Sequence, residues 1–167
     1  MNQSTPAATS LSLPDGSLTV EFSWRNDRFV HEFVCADGRR IASVEGDSSE
    51  SWPPSPPLQQ LSLETIDGRD VILGVGGAGV GHWSISVEAT VMPERHHAFK
   101  FDLACRCKTE CDWLGSSYRR SNLLAYLPAT GTRLANEADR LTIQPDEGSE
   151  APTFRWAYWV SPIAESQ

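Results

Sequence analysis

Cys105, Cys107 and Cys111, with His82, His96 and His97 in the same region, are the side chains whose types best suit metal binding. Their spacing argues against it. Structural zinc takes ligand pairs spaced about two to four residues apart on two separate knuckles, and C-x-C-x₃-C has neither that spacing nor a second knuckle. The other chemistry open to Cys107 and Cys111 is a short disulfide under oxidising conditions. Gly74-Val75-Gly76-Gly77-Ala78-Gly79 satisfies the letter of G-x-G-x-x-G. A dinucleotide site there would need a helix to begin, because helix amides hold the pyrophosphate. The residues beyond Gly81 are strand-like instead, with Trp83, Ile85 and Val87 alternating with polar residues. The glycines read as a flexible inter-strand loop, and their consecutive amides offer a small anion nest beside His82. The chain contains no G-x-S-x-G, S-x-x-K, H-E-x-x-H or Walker loop. Neither a metal nor a cofactor is expected.

Period-two patterning supplies the elements that would carry these groups. Leu18, Val20, Phe22 and Trp24 alternate with polar residues, Asn26-Asp27 turns the chain, and Phe29 to Ala36 resumes the pattern. That hairpin sets Phe22 opposite His31 and Glu21 opposite Glu32. The carboxylate pair calls for an arginine between them, or for acid–base work. His31 falls on the apolar face as a core histidine bonded to a backbone carbonyl. Asp37-Gly38 predicts a two-residue turn that brings Phe33 to Ala42. Gly46 to Pro57 holds four prolines and reads as a stiff crossing loop. Leu61 to Thr65 and Arg69 to Val75 flank Asp67-Gly68 as a second hairpin.

The clearest pair is His82 to Val91 with His97 to Cys105, turning at Pro93-Glu94-Arg95. It sets Trp83, Ile85, Val87 and Ala89 against Cys105, Leu103, Phe101 and Phe99, with Glu88 opposite Lys100. Further strands are expected at Ser121 to Leu127, Asp139 to Gln144 and Thr153 to Val160. An irregular segment precedes them through Arg120, and Leu134 to Asp139 could hold a helical turn. Residues 1–14 read as a loose arm and 15–163 as one domain. The fold class is all-β, a single antiparallel β-sandwich of about eight to ten strands, with a closed barrel as the alternative.

Gly79-Val80-Gly81-His82-Trp83-Ser84-Ile85-Ser86-Val87-Glu88, Phe101-Asp102-Leu103-Ala104-Cys105-Arg106 and Leu114-Gly115-Ser116-Ser117-Tyr118 resemble segments of an uncharacterised family of small bacterial proteins. The resemblance implies no activity. Gly81-His82-Trp83 also resembles the G-x-W that opens the first strand of lipocalin-like barrels, which is what keeps the barrel as an alternative.

The chain has 167 residues and a formal charge of -8, so its summed field repels phosphate backbones and anionic headgroups. Nucleic acid and membrane are not expected partners. No basic and apolar leader pattern and no long apolar run occurs, and the cytoplasm is the expected location. Trp52, Trp113 and Trp159 have no place on the predicted apolar faces. Aromatics in loops, beside Tyr118, Arg119 and Arg120, suit stacking on a sugar or covering a partner's apolar patch. The expectation is a non-catalytic recognition domain for a small molecule, carbohydrate or protein. Its contact surface would be built from Gly76, Gly77, Gly79, His82, Arg106, Trp113, Tyr118 and Arg119. The rivals are a small hydrolase using His82 with Asp102 or Glu88, an enzyme with a metal near Cys107, and a structural or assembly domain.

Overall fold

Alternating burial along most of the chain builds strands and nothing else. The computed structural model describes residues 4–164, and no helix occurs among them. The first sheet is β1 (Thr9–Ser12), β2 (Leu18–Arg25), β3 (Arg28–Cys35) and β4 (Arg40–Ala42), in that order. The second contains β5 (Gln60–Ile66), β6 (Arg69–Ala78), β7 (Gly81–Val91), β8 (His97–Arg106), β10 (Leu124–Pro128) and β13 (Thr153–Pro162), ordered β10-β13-β8-β7-β6-β5. The third is β11-β12-β9, from β9 (Ser116–Arg119), β11 (Thr132–Glu137) and β12 (Arg140–Pro145). All named pairings are antiparallel. The six-stranded sheet keeps open edges at β10 and β5, so the fold is a sandwich and not a closed barrel. Gly81-His82-Trp83 opens the seventh strand, not the first. β5 is exposed over nearly its whole length.

Thirteen strands among the described residues replace the expected eight to ten. The extra ones lie where the sequence pattern is short or broken. Part of the expected arm is β1, paired with β2, and Leu13 beyond it is buried; residues 1–3 lie outside the described residues. The segment read as irregular contains β9. The expected helical turn at 134–139 is largely β11, which pairs with β12 because Leu134 meets Ile143.

Two registers are as the sequence predicts. Trp83 pairs with Cys105, Ile85 with Leu103, Val87 with Phe101 and Ala89 with Phe99. Phe22 meets His31 and Glu21 meets Glu32, and Arg40 lies between the two carboxylates at 3.3 and 2.8 Å. The β3–β4 register differs by one residue, with Phe33 opposite Ile41 instead of Ala42. The cause is local: Gly38 N–H bonds the Cys35 carbonyl at 2.9 Å and Gly38 sits at φ +89°, so the loop holds three residues. Lys100 faces Glu88 as expected, yet its ammonium lies nearest Asp102 at 3.7 Å, while Arg69 approaches Glu88 at 3.8 Å.

Apolar side chains from all three sheets form one contiguous core, centred on Phe22, Phe33, Phe99, Phe101, Trp156 and Tyr158. A polar line runs through it. His31 Nε2 is 2.7 Å from the Tyr118 hydroxyl, and that hydroxyl is 2.6 Å from that of Tyr158. β3, β9 and β13 belong to different sheets, so one chain of hydrogen bonds ties all three together. His31 bonds a phenol and not the backbone carbonyl expected for it. Burial pushes its imidazole down to about 3, which keeps it neutral. Replacing Tyr118 by Phe leaves His31 and Tyr158 each one partner short. The expected loss is about 1–3 kcal/mol of unfolding free energy in urea titration, with an unchanged denaturant slope.

Candidate functional site

The glycine segment is not a loop. β6 runs to Ala78 and β7 begins at Gly81, leaving Gly79 (φ +53°) and Val80 as the turn. Glycine is required at position 76 for space, since a Cβ there would sit 1.8 Å from the Pro57 carbonyl oxygen as the proline-rich loop crosses the sheet. Gly77 N–H donates to Gln59 Oε1 at 2.7 Å and Gln59 Nε2 donates back to the Gly77 carbonyl at 3.3 Å. With that amide committed and the backbone in a ladder, the segment forms no anion nest.

Of the residues singled out by sequence, Gly76, His82 and Arg106 come together. They line an open hollow of about 500 Å³ with Gln59, Val75 and Trp83. Gly77 pairs with His82, which pairs with Arg106 on its other side. Gly79 packs near Ser51 at the turn. Tyr118 is fully buried in the core and is no surface contact. Arg119 is exposed and pairs with Asp139 at 2.9 Å. Trp113 lies in a different hollow. No carboxylate is hydrogen-bonded to His82 among the described residues, and Asp102 and Glu88 approach Lys100 and Arg69. Among those residues no group of three or more His, Cys, Asp or Glu is arranged to hold a metal ion.

Trp113 shares its hollow with Trp52. The cavity is about 360 Å³ and is completed by Glu45, Glu50, Pro54, Glu137, Arg140 and Thr142. The crossing loop places Trp52 against Trp83, ring centroids 6.1 Å apart. It turns back at Gly46, where a Cβ would meet Glu50 and Pro53 at 2.9 Å. Trp113 lies over Gly115, whose absent Cβ leaves room for the indole. The β11–β12 hairpin supplies Glu137, Arg140 and Thr142 from the far wall. The side chains of Glu137 and Arg140 make no ion pair or hydrogen bond among the described residues. Nothing in their sequence spacing links these two to residues 45–54. Only the loop tryptophans hint at the site.

Enclosed polar atoms without partners gather beside this hollow. Glu45 Oε1 accepts from Ser43 Oγ at 2.5 Å, while Oε2 is sealed from solvent with no partner. Arg28 is buried and its Nε and Nη2 reach Asp27, yet Nη1 has no partner. Ser117 Oγ is a third, and its backbone carbonyl accepts from Val44 N–H; the fourth such atom, the Tyr126 hydroxyl, lies apart, beside Tyr118 and Phe33. Burial is rarely left uncompensated in this way, and such atoms call for an explanation. Burial also pushes the Glu45 carboxyl up to about 7, against the opposing pulls of the Ser43 hydroxyl, Arg28 and Arg25.

The outer face of the six-stranded sheet holds a larger groove, about 820 Å³, lined by Trp159, Lys100, Asp102, Arg155, Ser84 and Ser86 among others. Two of its charged groups are already engaged. The Lys100 ammonium lies 5.4 Å from the Trp159 ring centroid and 3.7 Å from Asp102. No helix among the described residues is long and apolar enough to cross a membrane. No family model matches this chain, and neither a curated protein nor a solved structure matches it.

Two measurements check this geometry. Gly76→Ala forces a methyl into the Pro57 carbonyl and lowers stability by at least about 3 kcal/mol in chemical denaturation. For Glu45, a carboxyl raised by folding favours the folded state while protonated; that gain is complete below about 4.5 and is lost as pH rises through about 7. Glu45→Gln is therefore more stable than wild type above pH 7, by roughly 1–3 kcal/mol. The difference shrinks toward pH 5 in thermal melts taken across that range.

Proposed function

We propose that this domain recognises a carbohydrate in the Trp52–Trp113 hollow and performs no chemistry on it. The observation that carries this reading is the convergence of two loop indoles on one concavity rimmed by free polar groups. Indole faces stack on the apolar C–H face of a sugar ring. Glu137 and Arg140, uncommitted among the described residues, offer acceptors and a planar donor fork for neighbouring hydroxyls. The cavity volume falls within the range of about 300–1,000 Å³ usual for small-molecule sites. A neutral ligand also suits a chain whose net charge is -8.

Binding is favoured over hydrolysis by the orientation of Glu45. A carboxyl near neutrality has the protonation behaviour of a general acid. One of its oxygens is held by Ser43 and the other is sealed from solvent, so neither is free to meet a glycosidic oxygen.

Screening the protein on an array of neutral glycans, followed by titration of tryptophan fluorescence with the best oligosaccharide, tests the proposal. Trp113→Ala is expected to weaken binding about tenfold, since a lost stack and its buried area are worth about 1.4 kcal/mol or more. Glu137→Gln weakens it without disturbing the fold, and Trp159→Ala leaves it unchanged. A glycan that binds Trp113→Ala and Glu137→Gln as tightly as wild type overturns the assignment. So does release of a shorter sugar from that glycan, which would make the site catalytic.

A further inference from the structure

Beyond β8 the chain leaves the sheet and makes a tight turn through Cys107 and Cys111 before reaching Trp113. Cys107 N–H donates to the Pro152 carbonyl at 2.7 Å, which anchors the turn at its start. The Cys107 thiol donates to the Thr109 carbonyl at 2.8 Å, so the backbone curls around that oxygen and aims both sulfurs to one side. Cys111 Sγ then lies 2.9 Å from Cys107 Sγ, closer than two non-bonded sulfurs ordinarily approach. Both are free thiols. Cys107 is buried and Cys111 half-buried, so a small reagent reaches the second first.

Cys105 is close in sequence but not in role. It is buried on the inner face of β8, paired with Trp83 and packed under Gly81, and strand geometry holds it there. No third ligand joins Cys107 and Cys111 in a metal-binding group among the described residues.

We propose that Cys107 and Cys111 are a modification site, a dithiol that closes to an intrachain disulfide by exchange with a low-molecular-weight disulfide. The Cys111 thiolate attacks one sulfur of the small disulfide, forming a mixed disulfide and expelling one thiolate. Cys107, deprotonated in its turn, attacks Cys111 Sγ and expels the second. Two protein thiols and one small disulfide become one protein disulfide and two small thiols, with the two protons passing to the leaving thiolates. The sulfurs need close by less than about 1 Å to reach bonding distance. Closure clips the turn that carries Trp113. This inference stands on the thiol geometry and does not rest on the carbohydrate reading.

The attack is slow at neutral pH. Burial, reinforced by the neighbouring Cys107, Cys105 and Asp112, pushes the Cys111 thiol up to about 12, so its thiolate fraction grows with pH. The full chain is incubated with excess oxidised glutathione at pH 7 and pH 9, with dithiothreitol as the reduced control. It is then denatured, alkylated with iodoacetamide and weighed intact. Two alkyl groups are expected after oxidation, on Cys35 and Cys105, against four in the control, with faster conversion at pH 9. Trypsin cuts at Lys108, so the disulfide appears as the dipeptide 107–108 linked to peptide 109–119. Cys107→Ser halts at the mixed disulfide and retains one glutathionyl group on Cys111. Four alkylated cysteines after oxidation at pH 9, a link from Cys111 to Cys105 or Cys35, or a wild-type protein that keeps its glutathionyl group would overturn the proposal. These mass readouts are indifferent to whether any glycan binds.

Discussion

The hydrogen-bonded line from His31 through Tyr118 to Tyr158 is the constraint on which the arrangement of this molecule depends. Apolar packing alone is indifferent to small sliding of one sheet over another. A phenol hydroxyl sealed among phenylalanines is not, because losing a partner there costs the full desolvation of a polar group. Each of the three sheets contributes one member of the line, so their mutual positions are fixed to within hydrogen-bonding tolerance. Phe101 stacks on Tyr158 with centroids 5.1 Å apart and the ring planes 7° apart, which holds the last phenol in place from its side.

From Tyr118 the constraint passes outward along β9. Ser117, its neighbour, accepts from Val44 N–H just before the crossing loop and bonds the Ser55 hydroxyl within it. Those bonds bring Glu45, Glu50 and Trp52 to the end of the sandwich where Trp113 precedes β9. The hollow is thus an extension of the core's polar spine. The sealed atoms of Glu45, Arg28 and Ser117 lie where the spine gives way to the loop, so three of the four unpartnered buried side-chain polar atoms among the described residues fall there, the Tyr126 hydroxyl being the fourth.

Much of the sandwich is legible in the sequence because alternation over eight or more residues admits only one buried face. The β7–β8 register and the Glu21–Glu32 pairing come from this, and so does the arginine between those carboxylates. The misreadings have local causes. A glycine with positive φ adds a residue to the β3–β4 loop, and short strands such as β9 are too brief for alternation to show. At Gly76 the sequence displays freedom where the fold needs absence of volume, and the two are indistinguishable from residue type alone. The same blindness conceals the site. Trp52 and Trp113 are visible as tryptophans out of place, but Glu137 and Arg140 reach them only through a hairpin whose pattern resembles a helical turn. Tyr118 reads as a surface group because nothing in Leu-Gly-Ser-Ser-Tyr announces a strand that plunges into the interior.

The open flank along β5 carries a cost for the behaviour of many copies together. Its outward amides and carbonyls form a ready template for another ribbon, and Leu63 and Ile66 leave it greasy as well as unpaired. Among the described residues no helix covers it, and no proline within the strand interrupts it. The formal charge of -8 opposes such pairing, because like-charged chains repel one another and dissolved ions weaken that repulsion. The protection that charge gives this flank therefore depends on the ionic composition of the surroundings.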